Sequence, residues 1–223
     1  IALGTALLPR LSAAEAASRP AEVRDSLAEA VGLAGFLVIP AVAALVLCGL
    51  SIMQGLFVYG AFDGSDAQMA ALALTAYGCG LPGFVMVKIL QTAFYAAGQP
   101  GVVLKVSLAT VAINVTGSLL LMPVLGHVGL ALATAISGTA AAAILVVLLA
   151  RQNRLSAAFL PGLGKIIVAT AVIGVAVIAL QYGLDHVLHV PAAFDLVIIV
   201  GCGGAVYALM SYIIGAVPAG LMR

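Results

Sequence analysis

The sequence predicts an all-α membrane protein: a polytopic transmembrane helix bundle with about six full spans plus an interfacial amphipathic helix. Hydrophobic residues make up 64% of its 223 residues and charged residues only 8%, whereas a soluble domain carries about a quarter charged residues. The charges are also segregated. Apolar stretches of about 20 residues, the length that crosses a bilayer, alternate with short polar links.

The first unit, residues 1–30, is predicted to be the end of a preceding span followed by a cytoplasmic amphipathic helix. The chain starts at Ile1 with neither an initiator Met nor the basic region of a signal peptide, so we expect it to be the C-terminal part of a longer protein. Residues 10–29 hold seven charges, while Val23, Leu27 and Val31 recur at helical spacing. A helix lying at the membrane interface and an ordinary loop helix both explain this pattern.

The second unit, residues 31–150, is predicted to contain four transmembrane helices. The first span carries Pro40, where we expect a kink, and the second carries Lys88. Turn-rich segments separate the spans. The predicted spans cover residues 31–59, 75–100, 102–122 and 130–150, with a loop at 60–68.

The remaining chain is predicted to form a cytoplasmic link, residues 151–165, and two extra C-terminal transmembrane helices within residues 166–223. Between these two helices lie Asp185, His186, His189 and Asp195, whose spacing does not fit a metal site. The three cysteines lie in separate apolar stretches, as expected for small buried residues. We therefore predict no metal and no cofactor.

The basic residues predict the orientation of the bundle. With six spans, eight of the nine Lys and Arg residues fall on one side of the membrane, and the opposite loops contain Asp residues but no Lys or Arg. An excess of Lys and Arg marks cytoplasmic segments. Both ends of the chain are therefore expected in the cytoplasm. The residues assigned to the outer side are Asp63, Asp66, Asp185 and Asp195.

Lys88 is the ninth basic residue, and no other charge occurs between residues 67 and 104. A lone ammonium in hydrocarbon costs roughly 2.5–3.5 kcal/mol on insertion scales, so it faces a wet cavity or a partner. At 100° per residue Gln91, Thr92 and Tyr95 share its side of the helix. The pattern favours a substrate path through the membrane. An interhelical ion pair, or a Lys that reaches to the interface, remains the alternative.

Asn114 belongs to a stripe of small and polar residues on the third span. Such stripes let membrane helices pack closely, so the pattern favours helix packing over ligand contact. A similar stripe follows on the fourth span. The first stripe contains Ser107, Thr110, Asn114, Gly117 and Ser118, and the second contains Thr134, Ser137, Gly138 and Ala141.

Several segments resemble the MurJ/MviN family of lipid II flippases, within the multidrug/oligosaccharidyl-lipid/polysaccharide exporter superfamily. The resemblance spans roughly residues 1–155 and depends on the order and spacing of the segments. They are Ala2–Ser12, Leu56–Phe62, Ala76–Pro82, Val87–Lys88 with Ala93–Tyr95, Asn114–Pro123 and Gly126–Leu132.

The resemblance implies a fourteen-helix protein with two six-helix lobes around a cavity and two extra helices, of which this chain is the C-terminal part. Residues 31–150 would belong to the second lobe, and residues 166–223 would form the two extra helices. It implies a transporter and not an enzyme, located in the bacterial inner membrane. Its partners would be lipid II, membrane lipids and the N-terminal lobe of the same protein, with no nucleic acid. The candidate substrate-binding residues are Lys88, Gln91, Thr92, Tyr95 and Asn114.

Other functions remain open at this point. They are a flippase for another undecaprenyl-linked glycan, a drug/cation antiporter of the same superfamily, an intramembrane enzyme, and a scaffold half without transport of its own. An antiporter would use intramembrane carboxylates, and the spans carry none at mid-depth. An enzyme would need a constellation such as Ser/His or paired Asp at membrane depth, and we find none.

Overall fold

The computed structural model describes residues 2–58, 60, 62–156, 160–183, 192–213 and 215. Over these residues the chain forms eight α-helices and no strand, which confirms the prediction of an all-α protein. The helices are α1 (Ala2–Ala16), α2 (Pro20–Leu47), α3 (Gly49–Phe57), α4 (Gly64–Ala96), α5 (Pro100–Leu125), α6 (His127–Arg151), α7 (Leu160–Gly183) and α8 (Ala192–Ile213).

Five of the described helices are long and apolar enough to cross a membrane: α2, α4, α5, α6 and the part of α7 from Gly164. The sixth predicted span corresponds to α8, whose apolar part runs from Ile198 to Ile213. The polytopic bundle is therefore confirmed. The predictions for Asp185, His186, His189 and Arg223 lie outside the described residues.

The charged segment, residues 10–29, is divided between the end of α1 and the first part of α2. Pro20 occupies the first turn of α2, where its missing N–H and fixed φ are tolerated, and α2 then continues into the first span. Its apolar face is buried against α1 and α4, because Val23 and Leu27 pack in one core with Leu11 and Phe94. The amphipathic pattern therefore marks a helix whose apolar face is covered by protein.

The first predicted span, residues 31–59, is divided into two helices. Pro40 lies inside α2, and α2 ends at Leu47, where Cys48 separates it from the short α3. The third span likewise continues through Pro123, and α5 ends at Gly126, whose φ is +57°. A left-handed φ favours glycine, which explains why the chain turns there.

Helix α4 begins earlier than predicted because Asp63 caps it. The Asp63 carboxylate accepts hydrogen bonds from the backbone N–H groups of Ser65 (2.8 Å) and Asp66 (3.1 Å), and the Asp66 carboxylate accepts one from the N–H of Asp63 (3.2 Å). This reciprocal pattern is a capping box. The Ser65 hydroxyl bond, followed by the two backbone bonds, lowers the pKa of Asp63.

Helices α4, α5 and α6 pack closely through glycines. A Cβ at Gly83 would lie 2.8 Å from the Thr139 Cα, and one at Gly80 would lie 2.7 Å from the Ala135 Cα, so α4 and α6 are nearly in backbone contact. A Cβ at Gly117 on α5 would lie 3.2 Å from the Ala133 Cβ on α6. This is how membrane helices associate through small residues.

Helices α7 and α8 pack elsewhere. Helix α7 contacts α2 and α8, and α8 contacts α3 and α7. Their shared core contains Cys48, Ile173, Val177 and Ile199. The molecule therefore has two sides, one built by α4–α6 and one built where α7 and α8 lie on α2 and α3.

Candidate functional site

A cavity of about 580 Å³ opens between α4, α5 and α6. Its wall combines one cation with uncharged polar and apolar side chains, and the polar groups come from all three helices. The lining residues are Phe84, Val87, Lys88, Gln91, Ser107, Thr110, Val111, Asn114, Thr134, Ser137, Gly138 and Ala141.

Lys88 is the charged residue of this wall, and its side chain is exposed. Three ion pairs occur among the described side chains, and they involve Arg10, Arg19 and Arg154 but not Lys88. The Lys88 ammonium therefore has no carboxylate partner within the described part of the chain. Such a group, held at a cavity wall, attracts an anion.

The structure brings together three of the five predicted site residues: Lys88, Gln91 and Asn114 all line the cavity. Thr92 is buried, and its hydroxyl donates a hydrogen bond to the Lys88 carbonyl (2.9 Å). Tyr95 is half-exposed and does not line this cavity. It lies about two turns from Lys88 toward the C-terminal end of α4.

Asn114 joins two walls of the cavity. Its amide Nδ2 donates to the hydroxyl of Thr134 (3.0 Å), and Ser137 Oγ lies at 3.4 Å from the same nitrogen. The Thr134 hydroxyl in turn donates to the Leu130 carbonyl (2.9 Å). The polar stripes of α5 and α6 thus serve helix packing, as their spacing indicated, and also line the cavity.

Four polar lining residues were expected only as packing residues: Ser107, Thr110, Thr134 and Ser137. The sequence contains a signal for them. Ser107 and Thr110 share a helical face with Asn114, and Thr134 and Ser137 share one with Gly138, so a cavity at Asn114 and Gly138 would also be lined by these four residues. Phe84 also lines the cavity. Its ring lies against Gly138, so closely that an added Cβ would overlap the ring unless the ring moved.

A second cavity, of about 240 Å³, lies between α2, α7 and α8. Its wall is mostly apolar, and its polar side-chain groups include the hydroxyls of Thr170 and Tyr207. Thr170 is buried, and its Oγ1 has no hydrogen-bond partner in the described structure. The lining includes Pro40, Ala44, Leu47, Ile173, Val177, Ile199 and Tyr207. This cavity suits hydrocarbon, in contrast to the first.

Comparison with known proteins identifies the family. Residues 1–195 match the sequence profile described as "Lipid II flippase MurJ". The chain belongs to this family. The expected relationship to the MurJ/MviN flippases is thereby confirmed.

Two relatives illustrate the extent of the match. The chain is 30% identical over 232 residues to a probable lipid II flippase MurJ of Rhizobium tropici, covering 100% of this chain and 43% of that protein. It is 33% identical over 132 residues to the lipid II flippase MurJ of Burkholderia cenocepacia, covering 59% of this chain and 26% of the relative.

The fold is also found in a solved structure of a lipid II flippase MurJ in its inward closed conformation. The TM-score is 0.77 at 20% sequence identity, over 99% of this chain and 43% of that one. The chain therefore spans less than half the length of these relatives. It is a multi-pass membrane protein of a transporter family, with the fold of the matching part of MurJ.

Proposed function

We propose that the chain forms the C-terminal half of a lipid II flippase, which moves this peptidoglycan precursor from the cytoplasmic to the periplasmic leaflet by alternating access. The observation that carries the proposal is the Lys88 ammonium, which pairs with no carboxylate among the described residues and lies on the wall of a polar cavity between α4, α5 and α6. The family supports the substrate class, because its named members are lipid II flippases.

The chemistry of the head group fits this wall. A diphosphate that leaves water for a cavity within roughly 30 Å of hydrocarbon needs cations and hydrogen-bond donors. In the proposal Lys88 meets the diphosphate, while Gln91 and Asn114 offer amide groups beside it. Thr92 holds the Lys88 turn through its bond to the carbonyl, and Tyr95 contacts the head group further along α4.

The lipid tail requires the opposite environment. In the proposal it lies along the apolar cavity between α2, α7 and α8, where membrane lipids also bind. The N-terminal lobe of the same protein completes the central cavity, and rocking of the two lobes alternates its access. On this basis residues 31–150 act with that lobe, and residues 166–223 guide the tail.

Two other transported substrates belong to the same class of mechanism: another undecaprenyl-linked glycan and a drug exchanged for a cation. An antiporter couples ions through intramembrane carboxylates. Residues 67–184 contain no Asp or Glu. This observation favours a lipid-linked glycan over a drug/cation antiporter.

The substitution Lys88→Met in the full-length protein tests the proposal. A hydrogen bond to a charged group contributes about 1.5–3 kcal/mol, so we expect flipping of lipid II in reconstituted vesicles to fall about ten- to hundredfold. Lys88→Arg should retain part of the activity, because it keeps the charge.

The matched control is Lys105→Met. Lys105 is exposed on α5 and is not among the lining residues, so its loss should leave flipping near the wild-type rate. Each variant is also heated in detergent. Wild-type transport by a stably folded Lys88→Met protein would refute the site, and a large loss of Tm in this variant would assign Lys88 to an ion pair with the other lobe.

We also propose that both ends of the chain are cytoplasmic in the bacterial inner membrane. The capping box at Asp63 and the hydrogen bond between Gln99 and Gln152 (3.1 Å) lie at opposite ends of α4. Arg151 and Arg154 flank Gln152 at the second end. Arg154 is partly buried in an ion pair with Glu15, so the exposed Arg151 is the better probe.

Cysteine labelling tests this orientation in a full-length protein without its native cysteines. Gly64→Cys places a thiol where a Cβ meets no atom within 4 Å, and Arg151→Cys places one at the other end. An impermeant maleimide added to intact spheroplasts should modify position 64 and spare position 151. Labelling of position 151 alone would invert the topology.

A further inference from the structure

Pro40 leaves one backbone carbonyl of α2 without its helical donor. In an α-helix the carbonyl of residue 36 accepts a hydrogen bond from the N–H of residue 40, and proline has no N–H. In this structure the hydroxyl of Tyr207, on α8, donates to the Phe36 carbonyl at 2.6 Å. A side chain 171 positions away thus supplies the bond that Pro40 cannot form.

The rings of the two residues reinforce this contact. The Phe36 and Tyr207 ring centroids are 5.2 Å apart with a tilt of 40°, which lies in the range of favourable aromatic pairs. The hydroxyl is therefore held against the carbonyl by the packing of its own ring. In hydrocarbon no water replaces a lost donor, so separation of α8 from α2 would leave the Phe36 carbonyl unsatisfied.

A second side chain contacts the other interruption of the same span. Gln181 on α7 places its Nε2 at 3.4 Å from the Leu47 carbonyl and 3.5 Å from Ser51 Oγ, on either side of the break at Cys48. These distances are longer than that of the Tyr207 bond and indicate a weaker interaction. The α7–α8 pair thus contacts both irregular points of α2 and α3 with polar groups.

We propose that Tyr207 is a positioning residue that fastens α8 to α2 at the proline of α2, and so fixes the shape of the apolar cavity between α2, α7 and α8. Pro40 and Tyr207 act together: the proline leaves the Phe36 carbonyl without a backbone donor, and the Tyr207 hydroxyl donates to it instead. The cavity contains both residues in its wall. This inference concerns the docking of α8 and holds whichever molecule the cavity takes.

A double-mutant cycle separates this role from that of a packed ring. Tyr207→Phe keeps the ring and removes the donor, whereas Pro40→Ala restores an N–H to the Phe36 carbonyl. The coupling between two such changes measures their direct interaction. The matched control is Tyr212→Phe, on the same helix, because Tyr212 is 78% exposed.

The measurement is the distance between spin labels on α2 and α8, in a full-length protein that lacks its native cysteines and is free of substrate. Leu37→Cys and Leu209→Cys provide the labelling positions, since both side chains are exposed. We expect one narrow distance distribution for the wild type and for Tyr212→Phe, and a broader one with a longer component for Tyr207→Phe. The Tm of Tyr207→Phe should fall below that of Tyr212→Phe, because a carbonyl away from water loses its donor.

In the Pro40→Ala background the same Tyr207→Phe change should have at most half its effect on the distribution and on Tm. A Tyr207→Phe protein that behaves like Tyr212→Phe would overturn the proposal, as would an undiminished effect in the Pro40→Ala background. Because no substrate is present, either failure leaves the flippase proposal intact. Conversely, wild-type flipping by Lys88→Met would refute the substrate site but would leave the role of Tyr207 untouched.

Discussion

The two sides of the molecule solve helix packing in opposite ways. On the α4–α6 side, glycines bring backbones nearly into contact, and polar side chains reach from one helix to the next. On the α2/α7/α8 side an added Cβ would meet only the ends of side chains or nothing. A Cβ at Gly203 would lie 3.3 Å from Val177 Cγ2, one at Gly174 would lie 3.4 Å from Leu47 Cδ1, and one at Gly204 would have no atom within 4 Å. The first interface is tight and polar, and the second is loose and apolar.

This difference is the one that the proposed substrate would require of the two cavities. A charged head group needs donors held at fixed positions, and such positions require helices that cannot shift. A hydrocarbon chain has no directional groups, so a wall of Val, Ile and Leu can adapt its shape at little cost. In the looser region, the contact from Tyr207 to the Phe36 carbonyl supplies the fixed point.

The largest expected contrast comes from adding one methyl group to each side. Gly83→Ala would place a Cβ 2.8 Å from the Thr139 Cα and 2.9 Å from its N, and backbone atoms cannot give way as a flexible side chain can. Overpacking of this kind costs about 1–3 kcal/mol. We expect a clear decrease in the Tm of the full-length protein in detergent.

Gly204→Ala is the matched change on the loose side. Its Cβ would meet open space, and alanine is favoured over glycine in a helix by up to about 1 kcal/mol. Its Tm should therefore equal or slightly exceed that of the wild type. Equal losses of Tm in the two variants would contradict the contrast between the two interfaces.

Much of the tight side could be predicted from the sequence, because its signals are local. Lys88 interrupts a long uncharged stretch, and Asn114 shares a helical face with other small and polar residues. The buried face of α2, with Val23 and Leu27, likewise follows from spacing alone. A helical wheel gives the angle of each side chain around the helix axis. This angle is enough to predict the polar stripe with Asn114 and the apolar face of α2.

The wheel cannot tell which angles a neighbouring helix covers. Thr92 lies only 40° from Lys88 on an ideal helix, yet it is buried and bonds to the carbonyl of its own helix. This bond to the residue four positions earlier is a usual alternative for threonine. Tyr95 shares the angle of Lys88 but lies about two turns further along α4.

Proline positions also misled the expected boundaries. The third span was predicted to end at residue 122, directly before Pro123, but α5 reaches Leu125 before the positive φ of Gly126 turns the chain. The break after Leu47 has no proline at all. The bond between Tyr207 and the Phe36 carbonyl is tertiary, so no local pattern could indicate it.

The smallest expected effect comes from removing one polar side chain on each side, the amide of Asn114 and the hydroxyl of Thr170. Asn114→Leu removes a side chain that bonds to Thr134 across α5 and α6, and interhelical hydrogen bonds in membranes are worth about 0.6–1.7 kcal/mol. Thr170→Val removes a buried hydroxyl for which the described residues offer no partner, so its loss relieves a cost of desolvation. Thermal unfolding of the full-length protein should therefore show a lower Tm for Asn114→Leu and an unchanged or higher one for Thr170→Val. If Thr170→Val lowers Tm as much as Asn114→Leu does, the Thr170 hydroxyl has a partner in the full-length protein, and the apolar character assigned to that cavity is wrong.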